Sequence, residues 1–112
     1  MEIFKAIRTR RSIRKYRPDS VPDDLIEKVI DAARWAPSSH DRQPWEFIIV
    51  KNRYTIEKLA KTHEYSSFMV DTPLVIAVCV DQHKSPSLFI QDGSAAIQNL
   101  LLAAHAIGLG TC

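Results

Sequence analysis

Apolar residues recur along this chain at two spacings, and the spacings divide it into helices and strands. From Pro22 to Trp35, Leu25, Ile26, Val29, Ile30 and Ala33 return every three or four positions, and Ala36 continues the stripe. That is the pattern of an amphipathic helix. Pro22 is tolerated in its first turn, Asp23 and Asp24 complement its positive end, and Pro37 stops it. Ile3, Phe4 and Ile7 predict a shorter helix over Glu2 to Arg8, and Ile56, Leu59 and Ala60 mark the inward face of another over Arg53 to Lys61. Trp45 to Val50 and Pro73 to Val80 are instead near-continuous apolar runs rich in aromatic and β-branched residues. They predict two strands, the second suited to a sheet covered on both faces.

The last predicted element is a long helix from Ser87 or Phe89 to Ile107, ended by Gly108. Ala95, Ala96, Ile97, Leu100, Leu101, Leu102, Ala103, Ala104 and Ile107 make it apolar around most of its girth, so it is expected to be buried or shared with another subunit. Within it, Gln98 and Asn99 need partners, expected across a subunit interface. Asp92 is expected to cap this helix or to sit in its first turn. Two strands leave sheet edges unpaired, so the chain is expected to be incomplete as a folding unit, completed by further chain or by a partner.

Composition narrows the class. At 112 residues, with 46% apolar and 25% charged residues, the chain suits one small globular domain rather than two, or a disordered segment. A formal charge of +2 exerts no strong global pull toward nucleic acid or membrane. Cys79 and Cys112 make neither a disulfide framework nor a zinc motif, and Cys79 is expected in the core. The first residues lack the basic and apolar regions of a signal peptide. Gly93 to Gly108, interrupted by Gln98, Asn99 and His105, falls short of a membrane span. A cytoplasmic setting is the expectation. His63, His83 and His105 have no metal-ligand spacing, so no metal site is expected.

Charge is spread unevenly, and that supplies the candidate chemistry. Arg8, Arg10, Arg11, Arg14, Lys15 and Arg17 fall within ten residues that end at Pro18. Arginine forks match phosphate oxygens, Ser12 adds a hydroxyl, and an extended segment aims Arg10, Ser12 and Arg14 the same way. By itself the segment admits a solvated turn, a phosphate clamp or a nucleic-acid contact. The last is weakened by the near-neutral remainder of the chain. The second candidate is the polar loop Pro37 to Pro44, where Ser38, Ser39, His40, Asp41, Arg42 and Gln43 lie between a helix end and a strand start. Those residues either line a site or bond locally to hold a turn.

Three stretches then stand in order: Arg10-Arg11-Ser12-Ile13-Arg14; Ala36-Pro37-Ser38-Ser39-His40-Asp41-Arg42-Gln43-Pro44-Trp45; and Asp92 to Asn99, running on to Gly108-Leu109-Gly110-Thr111-Cys112. Together they resemble the N-terminal part of the nitroreductase family, the FMN-dependent NAD(P)H oxidoreductases. The resemblance implies an α+β fold, a three-layer sandwich whose central, mostly antiparallel sheet is flanked by helices, here a single partial domain over residues 1–112. It implies that Arg10, Arg11, Ser12 and Arg14 contact FMN, and that Pro37, Ser38 and Ser39 line its ring, the second serine approaching from the other subunit of a homodimer. Gln43, Pro44 and Trp45 would fix the loop against the first strand. It further implies hydride transfer from NADH or NADPH to a nitroaromatic, quinone or similar acceptor, with no nucleic-acid or membrane partner. The alternative is a non-catalytic protein of the same fold that binds a phosphate-bearing ligand or another subunit.

One position departs from the family pattern, which usually has asparagine where this chain has Asp41. An ionised carboxylate accepts hydrogen bonds but cannot donate them. It also places negative charge near the flavin, with Arg42 or Arg14 as the expected compensating partners. The family's later glycine-containing segment near the reactive flavin nitrogen and its C-terminal basic phosphate contact are not among these residues.

Overall fold

Helix α2 (Asp23–Arg34) forms over the predicted stripe and turns Ile26, Val29 and Ala33 inward. They meet the other long helix, α4 (Phe89–Ala106), which buries Ala96, Leu100 and Ala104. A computed structural model describes residues 1–112. The remaining elements are α1 (Ile3–Thr9), β1 (Trp45–Val50), α3 (Arg53–Leu59), β2 (Val75–Val80) and two short 3-10 turns at Ser39–Asp41 and Ser67–Asp71. The architecture is α+β, with β1 and β2 antiparallel and Trp45 opposite Val80 through to Val50 opposite Val75.

The core lies where α2 and α4 meet one face of this sheet. Val29, Ala33, Leu100 and Ala104 cluster there with Phe47 and Ile76 against them, and Ala36, Trp45 and Ala96 form a second cluster beside Val78 and Val80. Asn99 donates from Nδ2 to the Ala32 carbonyl at 3.1 Å. Its partner is therefore the neighbouring helix of the same chain, not a second subunit. In α3, Ile56 and Ala60 are buried and Leu59 half-buried. Arg53 pins the second 3-10 turn by donating to the carbonyls of Val70 and Thr72.

Two expectations fail on the other face. β2 is not covered on both sides, and Cys79, expected in the core, is exposed beside exposed Ile48 and Glu46. The apolar run reports that β2 prefers to be buried. It does not say that these 112 residues supply both covers. Likewise the apolar side of α1 is open: Phe4 is 63% exposed, Ile3 and Ile7 more than half, and only Ala6 is buried. No helix is long and apolar enough to cross a membrane.

Gly93 sets how closely α4 approaches the sheet. A Cβ built there would lie 2.7 Å from Val80 Cγ1, and a β-branched valine in a strand has little freedom to turn aside. Gly93→Ala is expected to destabilise the fold by about 1–3 kcal/mol through overpacking, partly offset by roughly 1 kcal/mol of improved helix propensity. Chemical denaturation checks this, and Val80→Ala in the same chain should recover most of the loss.

Candidate functional site

The basic segment leaves α1 in an extended conformation. Arg10 closes the helix with its N–H on the Ala6 carbonyl and turns to ψ 136°. The following residues lie beside the chain's last ones: Ser12 bridges Thr111 in parallel, and the Ile13 N–H donates to the Thr111 carbonyl at 2.8 Å. Gly110 permits that approach, since a Cβ there would meet the Ile13 side chain at 3.1 Å.

The cations differ in what they already hold. Arg11 folds back, its Nη1 donating to the carbonyls of Arg8 (3.1 Å) and Arg10 (2.8 Å). Arg17 pairs with Asp19 at 2.8 Å. Arg10 and Arg14 enter none of the chain's ion pairs, so their like charges stand uncompensated to either side of Ser12 in the sequence. Burial, reinforced by Cys112 and opposed by the Arg14 guanidinium, pushes the Tyr16 phenol above its ordinary pKa. Tyr16 also packs its ring against Phe68.

The polar loop is built differently. His40, Asp41 and Gln43 all have φ near +50°, the left-handed region that non-glycine residues occupy at a cost. Local bonds hold that shape: Asp41 N–H to the Ser38 carbonyl, Arg42 N–H to the Ser39 carbonyl, and Gln43 N–H to Ser38 Oγ at 3.0 Å. The Gln43 side-chain amide donates to Asp41 Oδ1 at 2.9 Å. The partner of the unusual carboxylate is thus an uncharged amide, and neither Arg42 nor Arg14 forms an ion pair with it. Gln43 fastens the loop twice over, and Pro44 and Trp45 are buried beneath its exit.

Asp92 and Ser85 complete the loop's support, and the sequence reading did not find these bonds. Asp92 does sit in the first turn of α4, yet its carboxylate serves other segments: Oδ1 accepts from the Ser39 N–H at 3.0 Å and Oδ2 from Ser85 Oγ at 2.7 Å. The available signal was a carboxylate beside a glycine at the head of an apolar helix.

α4 links the two candidate regions and also separates them. At its far end His105 meets Thr9 at 2.8 Å, and because the Thr9 hydroxyl already donates to the Lys5 carbonyl, His105 Nε2 is the donor. Asp92 and His105 are thirteen residues apart on α4, a rise of about 20 Å. Within one chain the cationic strand and the polar loop are therefore anchored at opposite ends of one helix. Two open depressions, of about 390 and 480 Å³, lie elsewhere, around Glu57, Val70 and Arg53, and no candidate residue lines either.

The family model described as "Nitroreductase family" matches residues 7–64, which carry both the cationic strand and the polar loop. The chain belongs to the nitroreductase family. Among its relatives, a protein of Methanothermobacter thermautotrophicus named "Putative NADH dehydrogenase/NAD(P)H nitroreductase" is 49% identical over 98% of this chain and 59% of its own length. The solved structure of a protein of the same name from Parabacteroides distasonis superposes with a TM-score of 0.94 at 44% identity, over 96% of this chain and 64% of that one. An FMN-dependent nitroreductase from Clostridium difficile R20291 gives 0.91 at 35% identity, over 97% and 64%. The chain thus spans about three fifths of the length of these relatives. Its α+β fold, the antiparallel pair β1–β2 with α2 and α4 packed on one face, corresponds to part of the family's three-layer sandwich of a central antiparallel sheet flanked by helices.

Proposed function

We propose that this chain is the FMN-holding part of an FMN-dependent NAD(P)H oxidoreductase that passes hydride from NADH or NADPH to a nitroaromatic, quinone or similar acceptor. The observation that carries the reading is the pair of guanidinium groups, Arg10 and Arg14, that enter no ion pair and stand two positions to either side of Ser12, the residue that bridges Thr111. A phosphate dianion relieves their mutual repulsion and accepts from their forks. Arg11 joins the clamp by steadying the Arg8–Arg10 backbone as well as by its charge. Pro37, Ser38, Ser39 and Asp41 serve the ring end of FMN, where the loop's left-handed residues fix the direction of its polar groups. Asp41, tied to Gln43, offers an acceptor and a negative charge. When bound, FMN supplies the hydride chemistry, while the chain binds, orients and tunes it.

The reading includes a homodimer with shared FMN sites. Its support is the separation of strand and loop along α4, which a second copy would relieve by presenting its own loop to this strand. The exposed apolar residues of α1, with Ile90 and Ile97 of α4, offer surface for that copy. We read residues 1–112 as one part of a single nitroreductase-like domain, and the uncovered sheet face supports this. Two free cysteines favour a reducing, cytoplasmic setting.

The test is spectroscopic. Purified protein should take up FMN, and the flavin's visible absorbance should bleach when NADH or NADPH is added without oxygen. Uptake without bleaching would favour a non-catalytic phosphate-ligand protein of the same fold. No uptake, with salt-sensitive binding to DNA or RNA instead, would sink the reading.

A further inference from the structure

We propose that Asp92 is the positioning residue of the Ser38–Gln43 loop, holding it in the geometry that receives the flavin ring. The inference rests on the FMN reading for its consequence, though not for its geometry. Asp92 is only 4% exposed, and a buried carboxylate is costly unless well bonded. It makes two bonds, both outside its own helix: one from the Ser39 N–H, fifty-three positions away, and one from Ser85 Oγ, itself fully buried.

The bond to Ser39 is the only hydrogen bond that leaves the loop. All the others join Ser38, Ser39, Asp41, Arg42 and Gln43 to one another. Local bonds preserve the loop's shape and say nothing about where it sits. Three left-handed non-glycine residues persist only where the surroundings over-determine them, and Asp92 supplies the outside constraint. Its own base is firm, because the adjacent Gly93 lies against Val80 of β2. Ser85, in the connection from β2 to α4, keeps the carboxylate turned toward Ser39. The carboxylate thus couples the β2–α4 connection, α4 and the polar loop at one point.

The experiment compares Asp92→Ala, Asp92→Asn and Ser85→Ala in the full chain, by two readouts taken well below the melting transition. These are hydrogen exchange at the Ser39 amide, followed by NMR without FMN, and the FMN dissociation constant from flavin fluorescence. Asp92→Ala should speed Ser39 exchange and weaken FMN binding, each by about tenfold or more. Asp92→Asn retains an oxygen for Ser39 and gains a donor for Ser85 Oγ, so both readouts should stay within about threefold of the parent. Ser85→Ala should fall between them. A purely structural role predicts a lower melting temperature with unchanged Ser39 exchange and FMN affinity, and that result would overturn the proposal. If Asp92→Ala does not fold, unchanged readouts in Ser85→Ala overturn it equally. Failure of the parent protein to bind FMN would count against the functional reading alone, since Ser39 exchange still judges Asp92.

Discussion

Replacing Arg10 and Arg14 together with alanine is expected to weaken FMN binding by about a hundredfold or more, with little change in folding stability. A charge-assisted hydrogen bond contributes about 1.5–3 kcal/mol, so each lost arginine corresponds to roughly ten- to hundredfold in affinity. Stability should hold because neither guanidinium takes part in an ion pair or side-chain hydrogen bond within the chain. Removing two like charges from a densely cationic segment also relieves repulsion. Arg14→Lys should recover only part of the loss, because an ammonium keeps the charge and lacks the planar fork. The residual affinity should depend less on salt than the parent's, since exposed charges are screened over about 8 Å at physiological ionic strength. Fluorescence titration at low and high salt measures all three quantities. A double variant that binds FMN like the parent would remove the cationic strand from the site.

Trp45→Ala is expected to cost about 3–5 kcal/mol of folding stability, a large part of the roughly 5–15 kcal/mol that holds a typical domain. Trp45 is 8% exposed and packs against Ala36, Ala96, Val78 and Val80. Two of those neighbours are alanines, too small to close the space an indole leaves. The cavity would open directly under the exit of the polar loop. Pro44, fully buried, accepts there from the Asp81 N–H at 2.8 Å and ties the start of β1 to the end of β2. A second consequence follows at the site: FMN affinity should fall with stability, because the loop loses its floor. Trp45→Phe, which keeps an aromatic ring, should retain most of both. Denaturant unfolding with and without FMN makes the measurement, and a stability loss below about 1 kcal/mol would mean that the cluster collapses onto the space.

Much of the secondary structure was legible from local pattern. β1 begins and ends at the residues its apolar run marked, Trp45 and Val50. α2 occupies Asp23–Arg34, between the two prolines that bracket its stripe. Such features depend on neighbours a few positions away, and side-chain periodicity records those directly. The candidate site was legible as residue types: a dense run of arginines, and a polar loop between prolines.

Partnership across the chain was not legible, because it is settled by packing between segments distant in sequence. Nothing local distinguishes the arginine that folds onto its own backbone, Arg11, from those left uncompensated, Arg10 and Arg14. No glycine announces the left-handed turn at His40, Asp41 and Gln43. Cys79 sits in an apolar run and yet faces outward, because the covering helices lie on the other side of the sheet. Asn99 finds the Ala32 carbonyl of α2 rather than a subunit interface. The sequence by itself determined where helices and strands form and that an arginine-rich segment can hold an anion, since both follow from spacing and charge. Only the tertiary structure decided that Arg10 and Arg14 stand free beside Ser12, at the opposite end of α4 from the loop that Asp92 holds. Direction and distance between side chains arise when α4 docks on the sheet, and spacing along the chain does not carry them.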